Sequence, residues 1–172
     1  METAQKQIRC TLNKKLVAIL KAAKSKESTR YAIEQVNYDA DKKELAATDG
    51  RHSVVIKRDL PIKTGLYGLY GNELILAEDA GKFPRYEDIL PPENDCEKIT
   101  SNYEAKGFFV VMAKAGIGID IFLHEKLIKA LVRTDDLYEF FVRKDDPKTR
   151  PLYVKCEGEF DIKAVFMPFN TD

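Results

Sequence analysis

The sequence predicts an α+β fold built from one β-α-β-β-β unit used twice, and three features of the chain predict it. First, Ile8–Leu20 (IRCTLNKKLVAIL) aligns without a gap on Ile119–Leu131 (IDIFLHEKLIKAL), so that Leu12 meets Leu123, Lys15 meets Lys126, Leu16 meets Leu127 and Leu20 meets Leu131. Second, each copy opens as a short strand pattern and then changes to helical spacing. Third, each is followed by three β-branched or aromatic runs bounded by Asp, Gly or Pro, the pattern of hairpin strands.

The first unit takes in about residues 6–60. Leu12, Leu16, Ile19, Leu20 and Ala23 share one face of its helix, with Asn13 as a cap near the start. Strands are expected at Tyr31–Val36, Leu45–Thr48 and Val54–Lys57, with turns around Asp39-Ala40-Asp41 and at Asp49-Gly50. The second unit, about 116–169, carries a helix around Leu123–Leu131 opened by His124, a solvated or capping histidine. Its strands are expected at Leu137–Val142, Leu152–Lys155 and Phe160–Phe166. Between the units, about 61–115 is a connector with strands at Glu73–Glu78 and Phe108–Ala113, punctuated by Gly65, Gly68, Gly71, Pro84, Pro91 and Pro92. The 172 residues are expected to form a single domain.

Composition excludes several classes. Apolar residues make up 44% and charged residues 33%, which suits a folded globular chain and not a disordered one. No apolar run reaches the ~20 residues of a membrane span, and the polar Met1–Arg9 lacks the apolar stretch of a secretory signal. Three scattered cysteines, Cys10, Cys96 and Cys156, argue for reduced thiols and a cytoplasmic setting. Net charge is zero, with 28 basic and 28 acidic residues, so any nucleic-acid surface must come from segregated charge.

Charge is segregated on both helices. The first carries Lys14, Lys15, Lys21, Lys24 and Lys26 with no acid between Leu12 and Lys26, and Lys14, Lys21 and Lys24 lie opposite the leucine face. The second carries Lys126, Lys129 and Arg133 on one stripe. Lysine is also a good helix former on a solvated face, but two basic stripes in a duplicated unit point to a phosphate-facing surface that reads no bases. Nothing asks for catalysis, a metal or a cofactor. His52 and His124 are too few for a typical His-rich metal site, and the glycines of Gly65–Gly71 lack the Lys-Ser/Thr of a P-loop. The acid pairs Asp135-Asp136 and Asp145-Asp146 read as turn formers.

Three short segments resemble the bacterial sliding clamp, the DNA polymerase III beta subunit family, and occur in that family's order. Leu45–Arg51 (LAATDGR) is similar to its ATDGHRL stretch, Lys82–Pro91 (KFPRYEDILP) to its FPxYxxVLP connector, and Val165–Phe169 (VFMPF) to its VVMPM. The resemblance implies the DNA-clamp (processivity) fold and a non-enzymatic scaffold that contacts DNA backbone without sequence preference. It also implies short-peptide partners from polymerases and other replication or repair proteins. Carried over by position, the peptide pocket would use Thr48, Gly50, Arg51, Pro84, Ile89, Val165, Met167, Pro168 and Phe169. The implied DNA-facing residues are Lys14, Lys15, Lys21, Lys24, Lys126, Lys129 and Arg133. Arg51-His52-Ser53 stands where the family has His-Arg-Leu, so Ser53 replaces an apolar wall residue. Clamps close rings of six such domains. This chain therefore leaves two alternatives open: a homo-oligomeric ring, or a monomeric regulatory module that binds peptides and encircles no DNA.

Overall fold

A computed structural model describes residues 8–27, 29–88, 90–99, 104–106, 109–113, 120–132, 137–146 and 149–168. The first unit opens with β1 (Arg9–Thr11) and α1 (Lys14–Ala23). Asn13 caps α1 as expected: its backbone is extended and its side-chain oxygen accepts from the Lys15 N–H at 2.7 Å. The helix stops at Lys24, whose extended backbone still donates to the Leu20 carbonyl. Next come β2 (Val36–Asp39), β3 (Glu44–Thr48) and β4 (His52–Lys57), then a hairpin of β5 (Gly65–Tyr70) and β6 (Glu73–Leu76).

The second unit runs β7 (Cys96–Ile99), β8 (Glu104–Lys106), β9 (Phe109–Ala113), β10 (Asp120–His124), α2 (Glu125–Val132), β11 (Leu137–Arg143), β12 (Leu152–Glu157) and β13 (Asp161–Phe166). His124 thus ends β10, and the helix opens one residue later. The residues of the acid pair Asp135-Asp136 lie outside the described residues.

All strand pairs are antiparallel. Ten strands form one sheet in the order β1-β6-β5-β2-β3-β4-β13-β12-β11-β7, and β10-β9-β8 forms a second. The units join edge to edge along β4 and β13, from Lys57 opposite Asp161 to His52 opposite Phe166. Residues 61–115 are shared between the units. The β5–β6 hairpin flanks β2 and β1 after the first unit, while β7 and the β8–β9 hairpin flank β11 and β10 before the second. The spatial arrangement repeats, but chain order is permuted between the copies.

Strand β2 begins at Val36, later than the aromatic run from Tyr31 suggests. The Ala32 N–H donates to the Lys82 carbonyl and the Ile33 carbonyl accepts from Ser25 N–H. Both groups are thereby committed to loops and unavailable to a sheet partner.

The core lies between the inner sheet face and the two helices. Leu16, Ile19, Leu20 and Ala23 of α1 and Leu127, Ile128 and Leu131 of α2 join Tyr38, Leu45, Val54, Ile56, Phe140, Val154 and Phe166 in one buried cluster. The helices pack against each other. Side-chain alternation makes the outer face of the β3–β4–β13–β12 region carry Ala46, Thr48, Ser53, Val55, Lys163, Val165, Tyr153 and Lys155.

The connector from β6 to β7 crosses this outer face as a strap. Phe83 and Tyr86 pack on Ala46 and Val55, the Tyr86 hydroxyl donates to Glu44 at 3.0 Å, and Lys42 pairs with Glu87 at 2.6 Å. At its far end Glu93 pairs with Lys155, and the Lys144 N–H donates to the Asp95 carbonyl at 3.0 Å. One end therefore holds the first unit and the other holds the second.

Candidate functional sites on two faces

On the helix side, an open groove runs where the end of α1 meets the start of α2. Lys21, Lys24 and Lys26 line it from one copy, and Lys126 and Lys129 from the other. Its floor is apolar and small: Ala18, Ala22, Leu69 and Ala130. Burial pushes the Lys24 ammonium below its ordinary pKa, and repulsion from Lys126 and Lys21 acts in the same direction against an attraction to Glu34. The charges of the two helices therefore act on one another. Among the described residues, Lys21, Lys24, Lys26 and Lys126 have no carboxylate at ion-pair distance. An anion entering the groove would find cations not already neutralised by the protein.

Lys14 and Lys15 lie at the opposite end of α1 and do not line the groove; Lys15 pairs with Glu159 at 3.0 Å. Arg133 lies outside the described residues. Lys26 and Leu69 do line it although helical spacing assigns neither. Lys26 lies past the helix end, where counting at 100° per residue no longer applies, and Leu69 arrives from another strand. Only the continuation of the basic run Lys21, Lys24, Lys26 hinted at the first of them.

The sheet side assembles the Thr48–Arg51 turn and the chain after β13. Asp49 organises the turn: its Oδ1 accepts from the N–H groups of Arg51 at 2.8 Å and His52 at 2.7 Å, and its Oδ2 lies 3.1 Å from His52 Nδ1. Burial alone would raise the Asp49 pKa, but the hydrogen bonds from the His52 ring and from both N–H groups outweigh it and hold the carboxyl below its ordinary value. Thr48 Oγ1 donates to the His52 carbonyl at 2.6 Å and accepts from the Gly50 N–H at 3.1 Å. Gly50 takes φ +88°, in the left-handed region that favours glycine.

The Met167 N–H then donates to the Arg51 carbonyl at 3.3 Å, extending the β4–β13 seam into both motifs. His52 meets Phe166 edge to face, with ring centroids 5.8 Å apart. Thr48, Ser53 and Val165 form one cross-strand row on the outer face, and Met167, 37% exposed, follows Val165.

Thr48, Gly50, Arg51, Val165 and Met167 are thus brought together within one chain, and Pro168 follows directly. Pro84 lies on the strap next to Phe83, which with Tyr86 packs on Ala46 and Val55 in the adjoining row. Ile89 and Phe169 lie outside the described residues.

No protein-family model matches this chain, and no curated protein does. Solved structures do. The DNA polymerase III beta chain of Streptococcus pneumoniae superposes with a TM-score of 0.63 at 14% identity, covering 99% of this chain and 66% of that one. The DNA polymerase sliding clamp of Bacillus subtilis gives 0.62 at 15% identity, with coverages of 99% and 66%. The beta subunit of Borrelia burgdorferi, solved with a natural product, gives 0.60 at 11% identity, with coverages of 96% and 64%. The chain spans about two thirds of the length of these clamps. The backbone alignment runs through both units and the strap, and it establishes that this protein has the sliding-clamp fold of the DNA polymerase III beta subunits.

Proposed function

We propose that this protein is a non-enzymatic, clamp-like scaffold of the cytoplasm that holds DNA backbone on its helix side and a short peptide of a replication or repair partner on its sheet side. The observation that carries it is the groove, where five lysines from α1, the turn that follows it and α2 line an apolar floor in a chain of zero net charge. Phosphates of a duplex would displace counterions from these lysines, giving affinity without base readout and a steep loss with salt. Lys14 and Lys15, at the other end of α1, and Arg133, outside the described residues, stay in the proposal as further phosphate contacts. In this proposal residues 1–172 act as one clamp-like unit, and copies assembled edge to edge would line a ring with their grooves.

The decisive measurement is fluorescence anisotropy of a labelled duplex at low and moderate salt. Wild type should bind, and K126E/K129E/R133E should bind more weakly and with a flatter salt dependence. A wild type that leaves the duplex free even at low salt overturns the DNA surface.

A second reading, supported by the junction of the Thr48–Arg51 turn with exposed Met167, is a monomeric regulatory module that captures partner peptides and encircles no DNA. Its signature is peptide binding abolished by Met167→Ala or Pro168→Ala, with DNA binding absent throughout. Light scattering at high micromolar concentration separates ring from monomer.

A further inference from the structure

Phosphate binding accounts for the rim of the helix-side groove and not for its floor. The groove has a volume of about 570 Å3, and between its lysines lie Ala18 and Ala22 of α1, Ala130 of α2 and Leu69 of β5. Ala22, Leu69 and Ala130 are only partly buried against the core, and Ala18 is exposed. Lysine ammonium groups meet phosphates at the ends of long stems, and a phosphodiester backbone has little apolar surface to set against alanine and leucine. The floor therefore suits an occupant that is apolar along its centre. The rim suits one that is acidic on both sides. Lys21 and Lys24 stand three residues apart on one wall, and Lys126 and Lys129 three residues apart on the other. Each wall thus repeats its charge after about one helical turn, the 5–6 Å at which side chains of a second helix also recur. The small floor residues let the backbone of such a helix come close. Burial and repulsion from Lys126 and Lys21 leave the Lys24 ammonium in want of an anion, and Glu34, the acid that attracts it, is not in the lining.

We propose that the groove also docks an acidic amphipathic helix of a partner protein. A ridge of Ala or Leu side chains on that helix covers Ala18, Ala22, Leu69 and Ala130. Asp or Glu residues on either side of the ridge pair with Lys21 and Lys24 on one wall and with Lys126 and Lys129 on the other. The lysines attract either polyanion, but covering the floor removes apolar surface from water and favours the helix alone. Helix and duplex use the same lysines and cannot share the groove, so the partner competes with DNA for this protein.

The test is fluorescence anisotropy with three labelled probes on wild type, A18Q, L69Q and K21E/K126E. The probes are a synthetic amphipathic helix of about 20 residues with an Ala/Leu ridge flanked by Glu, a peptide of the same composition with the ridge scrambled, and a DNA duplex. Wild type should bind the ridged helix about tenfold more tightly than the scrambled peptide. A18Q, at an exposed position where folding is least disturbed, and L69Q should each shrink that preference to about twofold or less, because the two peptides carry the same charge. K21E/K126E should weaken the ridged helix about tenfold, and the unlabelled helix should displace the duplex from wild type. Equal binding of the ridged and scrambled peptides overturns the proposal, as does a preference that survives both A18Q and L69Q. Duplex binding without that preference leaves the DNA surface standing and removes the helix site. Preferential binding of the ridged helix with the duplex left free keeps the helix site and removes the DNA surface.

Discussion

The helix face and the sheet face of this protein use their charges in opposite ways. On the sheet side and its turns most of the cations in ion pairs are found: Lys42 with Glu87, Lys43 with Asp59, Lys155 with Glu93, Lys98 with Glu139, and Arg143 with Asp95 and Asp145, while Lys163 has no carboxylate at ion-pair distance among the described residues. On the helix face Lys21, Lys24, Lys26 and Lys126 gather round a groove without a carboxylate at ion-pair distance among the described residues. A composition balanced to zero therefore conceals a cluster of lysines without a carboxylate at ion-pair distance among the described residues. Net charge alone is a poor guide to nucleic-acid binding when folding can sort the signs.

The largest effect should come from reversing the uncompensated cations. K21E/K24E/K126E is expected to weaken duplex binding by about a hundredfold or more at low salt, and to reduce the slope of log affinity against log salt by ~0.9 for each phosphate no longer neutralised. The sheet-face control K42E/K43E should stay within about twofold of wild type. Equal losses in both variants would mean that total charge, not the groove, governs binding.

A smaller effect, on stability, tests the Asp49 turn. Asp49→Asn keeps the shape but removes the charge that strengthens three hydrogen bonds, and should cost about 1–2 kcal/mol in urea denaturation at pH 7. The native carboxyl is held below the ordinary value of 3.8 that applies in the unfolded chain. Its stabilisation is therefore fully present above that value and is lost as pH falls through the lower, folded one. The gap between wild type and D49N should accordingly begin to narrow below pH 3.8 and close once pH has fallen through the folded value; a gap that survives full protonation would locate the defect in packing instead.

The smallest effect is expected at the strap. Lys42 and Glu87 are exposed, and surface ion pairs of this kind contribute little. K42A, E87A and the double variant should have indistinguishable thermal midpoints at physiological salt. Tyr86→Phe, which removes the hydroxyl bonded to Glu44, should lower the midpoint measurably more than any of them, since its partner lies in a half-buried setting. A strap held by its surface charges would reverse that ranking.

The helices were the most legible part of the chain. The apolar positions Leu16, Ile19, Leu20 and Ala23 are buried as their spacing requires, and Asn13 caps where an Asn before a helical run should. Local backbone preference and periodicity suffice for such features because all their partners lie within a few residues. Less of the middle segment was legible. Residues 61–115 read as a connector of unpredictable fold, yet they supply flanking strands to both units. Strand pairing over tens of residues leaves no mark in local pattern. The same holds for β2: its start at Val36 depends on the Ala32 N–H being taken by Lys82, fifty residues away in the strap.

The candidate sites divide along the same line. Residue types and spacing alone determined the duplicated unit, the two basic helices and the Thr48–Arg51 turn, whose Asp and Gly are suited to it chemically. Only the tertiary structure decided that Lys21, Lys24 and Lys26 face Lys126 and Lys129 across one groove while Lys15 turns to Glu159, and that Arg51 meets Met167. The physical reason is range: caps, turns and helical faces form between neighbours in the chain, whereas a shared field or a joined edge requires the two units to be packed together.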